Sequence, residues 1–575
     1  MSVLRRKLLR DVWRFRSQVL TIALLVATGV TVLVGSVSTY VSLLTTQADY
    51  YRDSRLAEVW ADVKRAPQSL LASLSQISGA ATIEARIVKD VRVEWPRSDL
   101  SVTGRIVSIP AGRQPQLNLL HLERGRWPDP LKGNEILVNA GFAEAWSIVP
   151  GDPIDVVLNG RIQTFRVAGI ARSPEFVYAS RPGNPLPDDR TFIVLWADED
   201  SVAAAFDMQG AFNNLTLSLA PGASAQSVIA ALDRRLESYG APGGYERRDQ
   251  PSHRFLSDEL AEQRTLAIAV PIVFFAVAAF LLNVVLGRLV ESQREQIAAL
   301  KALGFPSFPI GSHYLQFVAV ICALGSLAGI GLGIWYGHGM INNYRPFFRF
   351  PEMTYTFPVW LPAAAVSASF IAAAAGALTA VRRVLLLKPA EAMRPPVPAS
   401  YGHALAGTRL SPVAKLIMRG ILGRPIRTCL TIIGIALAVP MVVLGLFWWD
   451  ALRYMVEVQF DGIDRGDAFV AFTDPISRRA IREIGRIPGV LAVEGQRIVP
   501  VRMRAGNRTY RIGLTGLAEG SELRVPRDRD MRPLSLSGDG LMISNGLAER
   551  LGLQLGSSVT VEVLEGKRPT RELPI

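Results

Sequence analysis

The chain has 575 residues, of which 49% are hydrophobic and 20% charged, and its formal net charge is +13 at pH 7. The apolar content excludes an intrinsically disordered protein, and the length favours several domains. Apolar runs long enough to cross a bilayer favour an integral membrane protein.

The first segment, residues 1–18, is predicted to be a basic amphipathic cytoplasmic N-terminus. It carries six Lys and Arg residues against the single acid Asp11, and Trp13 and Phe15 suit a headgroup interface. The apolar run 19–44 follows and is predicted as the first transmembrane span. A cleaved signal peptide is the alternative, but the run exceeds a usual signal core and ends without a clear cleavage site.

Residues 45–263 are predicted to form an extracytoplasmic α+β domain, because short β-branched runs, turn residues and mixed charge replace the apolar pattern. Two strand patterns, Ile154–Leu158 and Arg161–Val167, flank Asn159-Gly160, which predicts a type I′ hairpin. A helix is predicted over residues 224–239, with its first residue, a serine, as N-cap.

The centre of the chain is predicted to be a membrane hairpin, with spans over 264–287 and 312–340 and a charged cytoplasmic turn over 288–309. Each span, at about 1.5 Å per residue, can cross a hydrocarbon layer of roughly 30 Å. In the turn, Ile297, Leu300 and Leu303 recur at helical spacing. Gly304 followed by Pro306 then predicts a C-cap and a stop. A short, rigid surface helix would give a soluble partner an element on which to exert force. An ordinary solvated loop is the alternative interpretation.

This turn resembles a known family. The run Arg294–Gly304 and the glycine-rich span after it are similar to the signature of FtsX/MacB/LolC-type permeases of ABC transporters. In that family the stretch is a coupling helix that docks on a cytoplasmic ATPase. The resemblance implies this coupling role for Arg294, Glu295, Ile297, Ala298, Leu300, Lys301, Leu303 and Gly304.

A second motif, Lys388–Arg394, resembles the one that closes the permease unit of the family. The resemblance implies that Pro389, Glu391 and Met393 belong to this unit-closing motif. The two motifs occur in the order that the family has.

Four glycines of the third span, Gly325, Gly329, Gly333 and Gly337, fall at four-residue intervals and share one helix face. Small residues let helices approach closely in lipid, so we predict a packing seam. The lining of a conduit is the alternative.

The remaining segments complete the predicted topology. They are a short outer loop (341–358), a fourth span (359–381), a cytoplasmic linker (382–427), a fifth span (428–449) and a second extracytoplasmic α+β domain (450–575).

The position of the charges sets the orientation. Residues 1–18, 287–311 and 381–427 together hold 18 Lys and Arg against 4 Asp and Glu, which accounts for the whole positive net charge. An excess of Lys and Arg marks cytoplasmic segments, so both large domains are predicted to lie outside the cytoplasm. This distribution argues against a nucleic-acid partner.

An internal repeat indicates two units. Residues 134–144 and the strand at 154–158 parallel residues 539–549 and the strand at 559–564. The second repeat is incomplete at residue 575, so we expect the natural chain to continue for roughly 200 residues with three spans and a second charged turn.

Signatures of catalysis do not occur in the sequence. It lacks a GxxxxGK[ST] phosphate loop and a GxSxG elbow, and its five histidines do not have metal-ligand spacing. The prediction is therefore a non-enzyme without catalytic residues, metal or cofactor.

The resemblance implies an α-helical integral membrane protein with large α+β, MacB-like periplasmic domains, in the bacterial inner membrane with a cytoplasmic N-terminus. Its expected partners are a cytoplasmic ABC ATPase dimer, which hydrolyses ATP, membrane lipids and a periplasmic adaptor protein. The implied function is export or mechanotransmission acting on a lipid-like, peptide or lipoprotein cargo. A membrane regulator that activates a periplasmic partner, such as a cell-wall hydrolase, is the alternative.

The charge asymmetry gives a testable topology. Cysteines at positions Thr46 and Asp450 should react with a membrane-impermeant thiol reagent in sealed cells, whereas cysteines at Arg294 and Arg394 should react only after lysis. Labelling of Arg294→Cys in sealed cells would overturn the topology.

Overall fold

A computed structural model describes residues 3–98, 101–181, 187–386, 411, 413–414, 417–418, 425–472, 475–506, 508–536, 540–565 and 567–575. The chain falls into two units. The first comprises Met1–Asp53 with Phe255–Gly445, and the second comprises Ser54–Arg254 with Leu446–Ile575.

Helices occur in both units. In chain order they are α1 (Val3–Arg14), α2 (Arg16–Asp53), α3 (Leu71–Leu74), α4 (Ala140–Trp146), α5 (Glu199–Ala205), α6 (Ala225–Leu236), α7 (Pro251–Ser292), α8 (Arg294–Ala302), α9 (Ser307–Tyr344), α10 (Leu361–Leu386), α11 (Pro425–Glu457), α12 (Arg479–Ile484) and α13 (Asn545–Leu551).

Four helices in the described part of the chain, α2, α7, α9 and α10, are long and apolar enough to cross a membrane. They overlap the first four predicted spans, and α11 covers the fifth. At 38 residues, α2 and α9 are each about 57 Å long, so they exceed the hydrocarbon thickness. The helical backbone therefore continues beyond the apolar run from which each span was predicted.

The core of the first unit is formed by apolar side chains of α2, α7, α9 and α10. On α2 the buried residues Ile22, Val26, Val30 and Val34 recur every four positions, which aligns them along one face. α9 packs along this face, and α10 packs on α9.

Strands occur only in the second unit among the described residues. They are β1 (Val59–Pro67), β2 (Ala80–Arg86), β3 (Val88–Glu94), β4 (Val102–Ile109), β5 (His121–Gly125), β6 (Glu135–Asn139), β7 (Pro153–Leu158), β8 (Arg161–Arg172), β9 (Phe192–Asp198), β10 (Ala211–Leu219), β11 (Gly243–Glu246), β12 (Arg497–Ala505), β13 (Arg508–Gly516), β14 (Ser558–Val563) and β15 (Thr570–Pro574).

Residues 54–254 contain two sheets. The smaller sheet, in the order β11-β1-β10-β2, is antiparallel, and α6 contributes Val228, Leu232 and Leu236 to its core. The larger has the order β5-β8-β6-β9-β4-β3-β7, and an additional β7–β8 pairing closes it on itself. Closure leaves β7 paired on both edges, which protects it from pairing with other chains.

The predicted hairpin is confirmed. Leu158 pairs with Arg161 across a two-residue turn, and both turn residues have positive φ, 48° for Asn159 and 78° for Gly160. Positive φ at both positions defines a type I′ turn.

The predicted helix over 224–239 is also present, as α6 followed by a 3₁₀ turn, Glu237–Tyr239. Ser224 occupies the predicted N-cap position, although its side chain makes no capping hydrogen bond. Its backbone carbonyl instead accepts a hydrogen bond from the Ser227 hydroxyl at 2.8 Å.

The strands of the second repeat, within residues 497–574, form a separate sheet with the order β13-β12-β14-β15. α13 corresponds to α4, and β14 corresponds to β7. The described residues 540–544 contain no strand equivalent to β6, so the two halves share the helix and the following strand but differ before them.

Within the second unit, ion pairs connect Ser54–Arg254 with Leu446–Ile575. Asp233 on α6 lies 3.3 Å from the Arg502 guanidinium and is also paired with Arg511. Glu237 lies 3.3 Å from Arg568. Two carboxylates, one on α6 and one just after it, therefore pair with arginines of residues 497–575.

Glu135 provides a test of the outer-domain core. The side chain is 7% exposed and accepts hydrogen bonds from Arg126 at 2.6 and 2.7 Å. The Arg126 hydrogen bonds lower the pKa of Glu135 from 4.5 to about 2, against the opposing effect of burial and with further help from the Asp129 N–H and from Lys132. The pair therefore stabilises the fold above pH 4.5, and this contribution is lost as the pH falls toward 2.

We expect Glu135→Gln to lower the stability of this domain at pH 7 by on the order of 1–3 kcal/mol, since hydrogen bonds to a charged group are lost. The variant should also show a smaller loss of stability between pH 4.5 and 2 than the parent chain. Thermal unfolding followed by tryptophan fluorescence checks both points. Glu94→Gln, in a more exposed ion pair, is the control. Parallel pH profiles for Glu135→Gln and the parent would contradict the assignment.

Candidate functional site

The predicted turn contains a short helix, α8, between α7 and α9. The Gly304 N–H donates to Lys301 O, and the Phe305 N–H donates to Leu300 O, both at 3.1 Å. These two bonds form a Schellman motif, which needs a residue of positive φ, and Gly304 has φ 89°. The predicted C-cap glycine is confirmed. Pro306 then occupies the N-cap position of α9.

The predicted coupling residues divide into an inner and an outer set. Ile297 and Ala298 are fully buried, and Leu300 packs against the same core. Arg294 and Lys301 are half-buried, whereas Glu295, Leu303 and Gly304 are exposed.

Leu303 does not share the inner face that its spacing suggests. It is 77% exposed because it is the C-cap residue, where the backbone leaves the helix. Two further apolar side chains are exposed beside it, Phe305 at 41% and Phe308 at 77%. We call Leu303, Phe305 and Phe308 the apolar tip. The two phenylalanines were not among the residues predicted from the sequence, although their position in and just after the Gly-Phe-Pro stop was the available signal.

Lys301 fixes the end of α8 to the end of α10. Its ammonium donates to Val384 O at 2.8 Å and to Leu385 O at 3.2 Å. Backbone carbonyls carry partial negative charge, so they suit the ammonium of a lysine. Burial lowers the pKa of Lys301.

The beginning of α8 is fixed by a buried polar cluster. Lys7 Nζ donates to Asp11 Oδ2 at 2.5 Å and to Gln293 Oε1 at 2.7 Å. The Tyr314 hydroxyl donates to the same Gln293 oxygen at 2.9 Å, and His313 Nε2 lies 3.2 Å from Asp11 Oδ2. We call these five residues the α1 cluster. All except Lys7 are at most 5% exposed.

Asp11 is held ionised in this cluster. Burial alone would raise its pKa, but hydrogen bonds from His313 and Lys7, together with the Lys7 charge, lower it to about 2. Since a carboxylate only accepts, His313 Nε2 is the donor, and His313 Nδ1 has no partner among the described residues.

The four seam glycines face α2. A Cβ built on Gly329 would lie 2.6 Å from Val30 Cβ and 2.7 Å from Ala27 O, closer than side chains can approach. Gly325, Gly333 and Gly337 meet Val26, Val34 and Ser38 in the same way. Every glycine of the set therefore lies where α9 contacts α2 most closely.

Two polar side chains within the spans, Asn283 and His338, contact neighbouring segments of the first unit. Asn283 Nδ2 donates to Gly376 O at 2.9 Å and also bonds Thr379, which links α7 to α10. The His338 ring packs against the Tyr355 ring in a tilted arrangement, with ring centroids 4.0 Å apart and an interplanar angle of 33°. The predicted unit-closing residues Pro389, Glu391 and Met393 lie outside the described residues.

Two family models match the chain. An FtsX-like permease C-terminal model matches residues 268–389, and a MacB-like periplasmic core domain model matches residues 19–235. The chain belongs to the FtsX/MacB-like family of ABC transporter permeases. The predicted fold class, a helical membrane protein with a large α+β extracytoplasmic domain, is confirmed. In this family ATP hydrolysis lies in a separate ABC ATPase subunit, which makes such an ATPase the general partner of the permease.

Solved structures resemble part of the permease at low identity. The extracellular domain of the noncanonic ABC-type transporter YknZ from Gram-positive bacteria is 14% identical, with 32% of this chain and 92% of that chain covered and a TM-score of 0.23. The periplasmic region of MacB from Actinobacillus actinomycetemcomitans is 11% identical, with 37% and 97% covered and a TM-score of 0.24. A permease domain from Porphyromonas gingivalis is 10% identical, with 32% and 84% covered and a TM-score of 0.20. No curated protein matches the sequence.

The Schellman motif gives a test of the coupling role. Gly304→Val should strain the backbone by about 1 kcal/mol or more, since a β-branched residue does not tolerate positive φ. Glu295→Lys reverses an exposed charge on α8. We expect both variants to insert normally but to reduce the ATP turnover of the reconstituted complex.

Gly339→Val is the matched control, because a side chain there meets no atom within 4 Å and φ is not positive. Unchanged ATP turnover for both Gly304→Val and Glu295→Lys would show that α8 is only a connecting loop.

Proposed function

We propose that the permease is the membrane subunit of an ABC-type export or mechanotransmission complex in the bacterial inner membrane. In this proposal a cytoplasmic ABC ATPase dimer docks on α8, and its motion reaches extracytoplasmic domains that handle a lipid-like, peptide or lipoprotein cargo. The predicted orientation, with a cytoplasmic N-terminus and turn, is part of the proposal.

The observation that carries the proposal is the anchoring of α8 at both ends. Gln293, a member of the α1 cluster, joins the beginning of α8 to Lys7 of α1. Lys301 joins the end of α8 to carbonyls near the end of α10. Ile297 and Ala298 bury its inner face. A helix held in this way moves with its neighbours when a partner pushes it, whereas a flexible loop would absorb the motion.

The apolar tip supports the same docking surface. Leu303, Phe305 and Phe308 are exposed at and just after the end of α8, and Glu295 and Gln296 are exposed on the helix itself. A surface that combines exposed apolar and polar side chains is typical of a protein interface.

The direct experiment is purification of the full chain from its native membrane after mild cross-linking, with identification of bound proteins by mass spectrometry. Recovery of a chain with a GxxxxGK[ST] phosphate loop is expected. A periplasmic hydrolase recovered in place of an export adaptor would favour the regulatory alternative. Recovery of the cross-linked permease without any bound ATPase would refute the proposal.

Leu303→Ser tests the apolar tip. Full burial of a leucine contributes roughly 1.5–3 kcal/mol, so we expect the affinity for the recovered ATPase to fall by about tenfold. Leu131→Ser is the control, since Leu131 is 94% exposed in the outer domain. Equal affinities for the two variants would exclude the apolar tip from the interface.

A further inference from the structure

We propose that the α1 cluster positions the coupling helix, so that α1 sets the orientation in which α8 is presented to the ATPase. This inference rests on the proposed function for the identity of the partner. The positioning itself depends only on the contacts within the first unit.

Gln293 is the joint between α7 and α8. It is the single residue between the two helices, with φ −103° and ψ 14°, and its side chain does not cap α8. The side-chain oxygen Oε1 of Gln293 instead accepts hydrogen bonds from both the Lys7 ammonium and the Tyr314 hydroxyl. The direction in which α8 leaves α7 is therefore tied to α1 on one side and to α9 on the other.

Backbone hydrogen bonds keep each helix intact up to this joint. The Gln293 N–H donates to Leu289 O at 3.0 Å, and the Ile297 N–H donates to Gln293 O at 2.9 Å. A rotation at Gln293 would thus turn α8 as a body rather than unravel it. The side-chain contacts of Gln293 oppose that rotation at the joint, in addition to the buried Ile297 and Ala298 and the Lys301 bonds at the far end of α8.

The charges in the cluster depend on each other. The Lys7 side chain is 12% exposed and Asp11 is buried, so the removal of one partner leaves the other charge buried without compensation. A cluster of this kind forms as a whole or is lost as a whole. It can therefore hold α8 in one orientation, which isolated surface contacts cannot do.

The two faces of α1 have different surroundings. Arg10 and Arg14 are exposed, together with Trp13, as expected for contact with headgroups. Lys7 and Asp11 lie one turn apart on the inner face and carry the contacts to α8 and α9. Attachment to the membrane surface and positioning of α8 are thus separable by mutation.

The first measurement is hydrogen–deuterium exchange of the full chain in lipid nanodiscs, read by mass spectrometry. In Asp11→Asn we expect amides of residues 294–304 to exchange about tenfold faster, while peptides of β6 and β9 stay unchanged. The double variant Lys7→Met/Asp11→Leu replaces the ion pair with apolar side chains of similar size, which keeps a folded chain available. It should show the same acceleration.

Arg10→Gln is the matched control, because it removes one positive charge from the exposed face of α1. Its exchange in residues 294–304 should equal that of the parent. Unchanged exchange in both Asp11→Asn and the double variant would overturn the proposal, whether or not an ATPase has been recovered.

The second measurement separates positioning from a general loss of folded protein. With the recovered ATPase, the cluster variants should raise the permease concentration for half-maximal ATPase stimulation by about tenfold, with little change in the maximum. A lowered maximum at an unchanged half-maximal concentration would overturn the proposal. If no ATPase is recovered, the proposed function fails, and the exchange data still decide whether the cluster positions α8.

Discussion

The close approach of α9 to α2 is the contact on which the first unit depends. In lipid the hydrophobic effect does not drive helices together, so association relies on van der Waals packing and on polar contacts. Backbone at Gly325, Gly329 and Gly333 lies against valines of α2 without an intervening side chain. The two helices can therefore act as one rigid body, with α10 packed on α9. This body provides the frame from which α8 extends.

Polar contacts then connect α8 to this frame at the two positions where packing alone would leave it free to rotate. Hydrogen bonds are strongest where water is excluded, and an unmade one is correspondingly costly. Gln293 is in such surroundings, with 5% of its surface exposed, and Lys301 is half-buried. In the proposed function, the exposed face and tip of α8 are the surface that the ATPase contacts. This division between an anchored inner face and an accessible outer face is what a transmission element requires.

The outer domain meets a different constraint. A sheet in water must protect its edges, and the β7–β8 pairing does so by closing the larger sheet. The hairpin that makes this closure is set by Asn159 and Gly160, whose positive φ values give the turn the twist of its strands. Local sequence and global topology agree at this point.

The sequence by itself determined the elements whose signal is local. Apolar length predicted the spans, the Asn-Gly pair predicted the hairpin, and Gly304 with Pro306 predicted the end of α8. These predictions succeed because the length of an apolar run and a positive φ each depend on residues that are adjacent in the chain. The family resemblance of the turn likewise came from a continuous run.

Only the tertiary structure decided which distant residues meet. Asp11 was visible as the one acid in a basic segment, but nothing local placed it beside His313, 302 positions away. The partnership of Lys301 with the end of α10 and the exposure of Leu303 were equally hidden. Side chains in a membrane unit are paired by the packing of whole helices, and that packing is fixed by contacts such as the glycine seam, which join segments far apart in the chain.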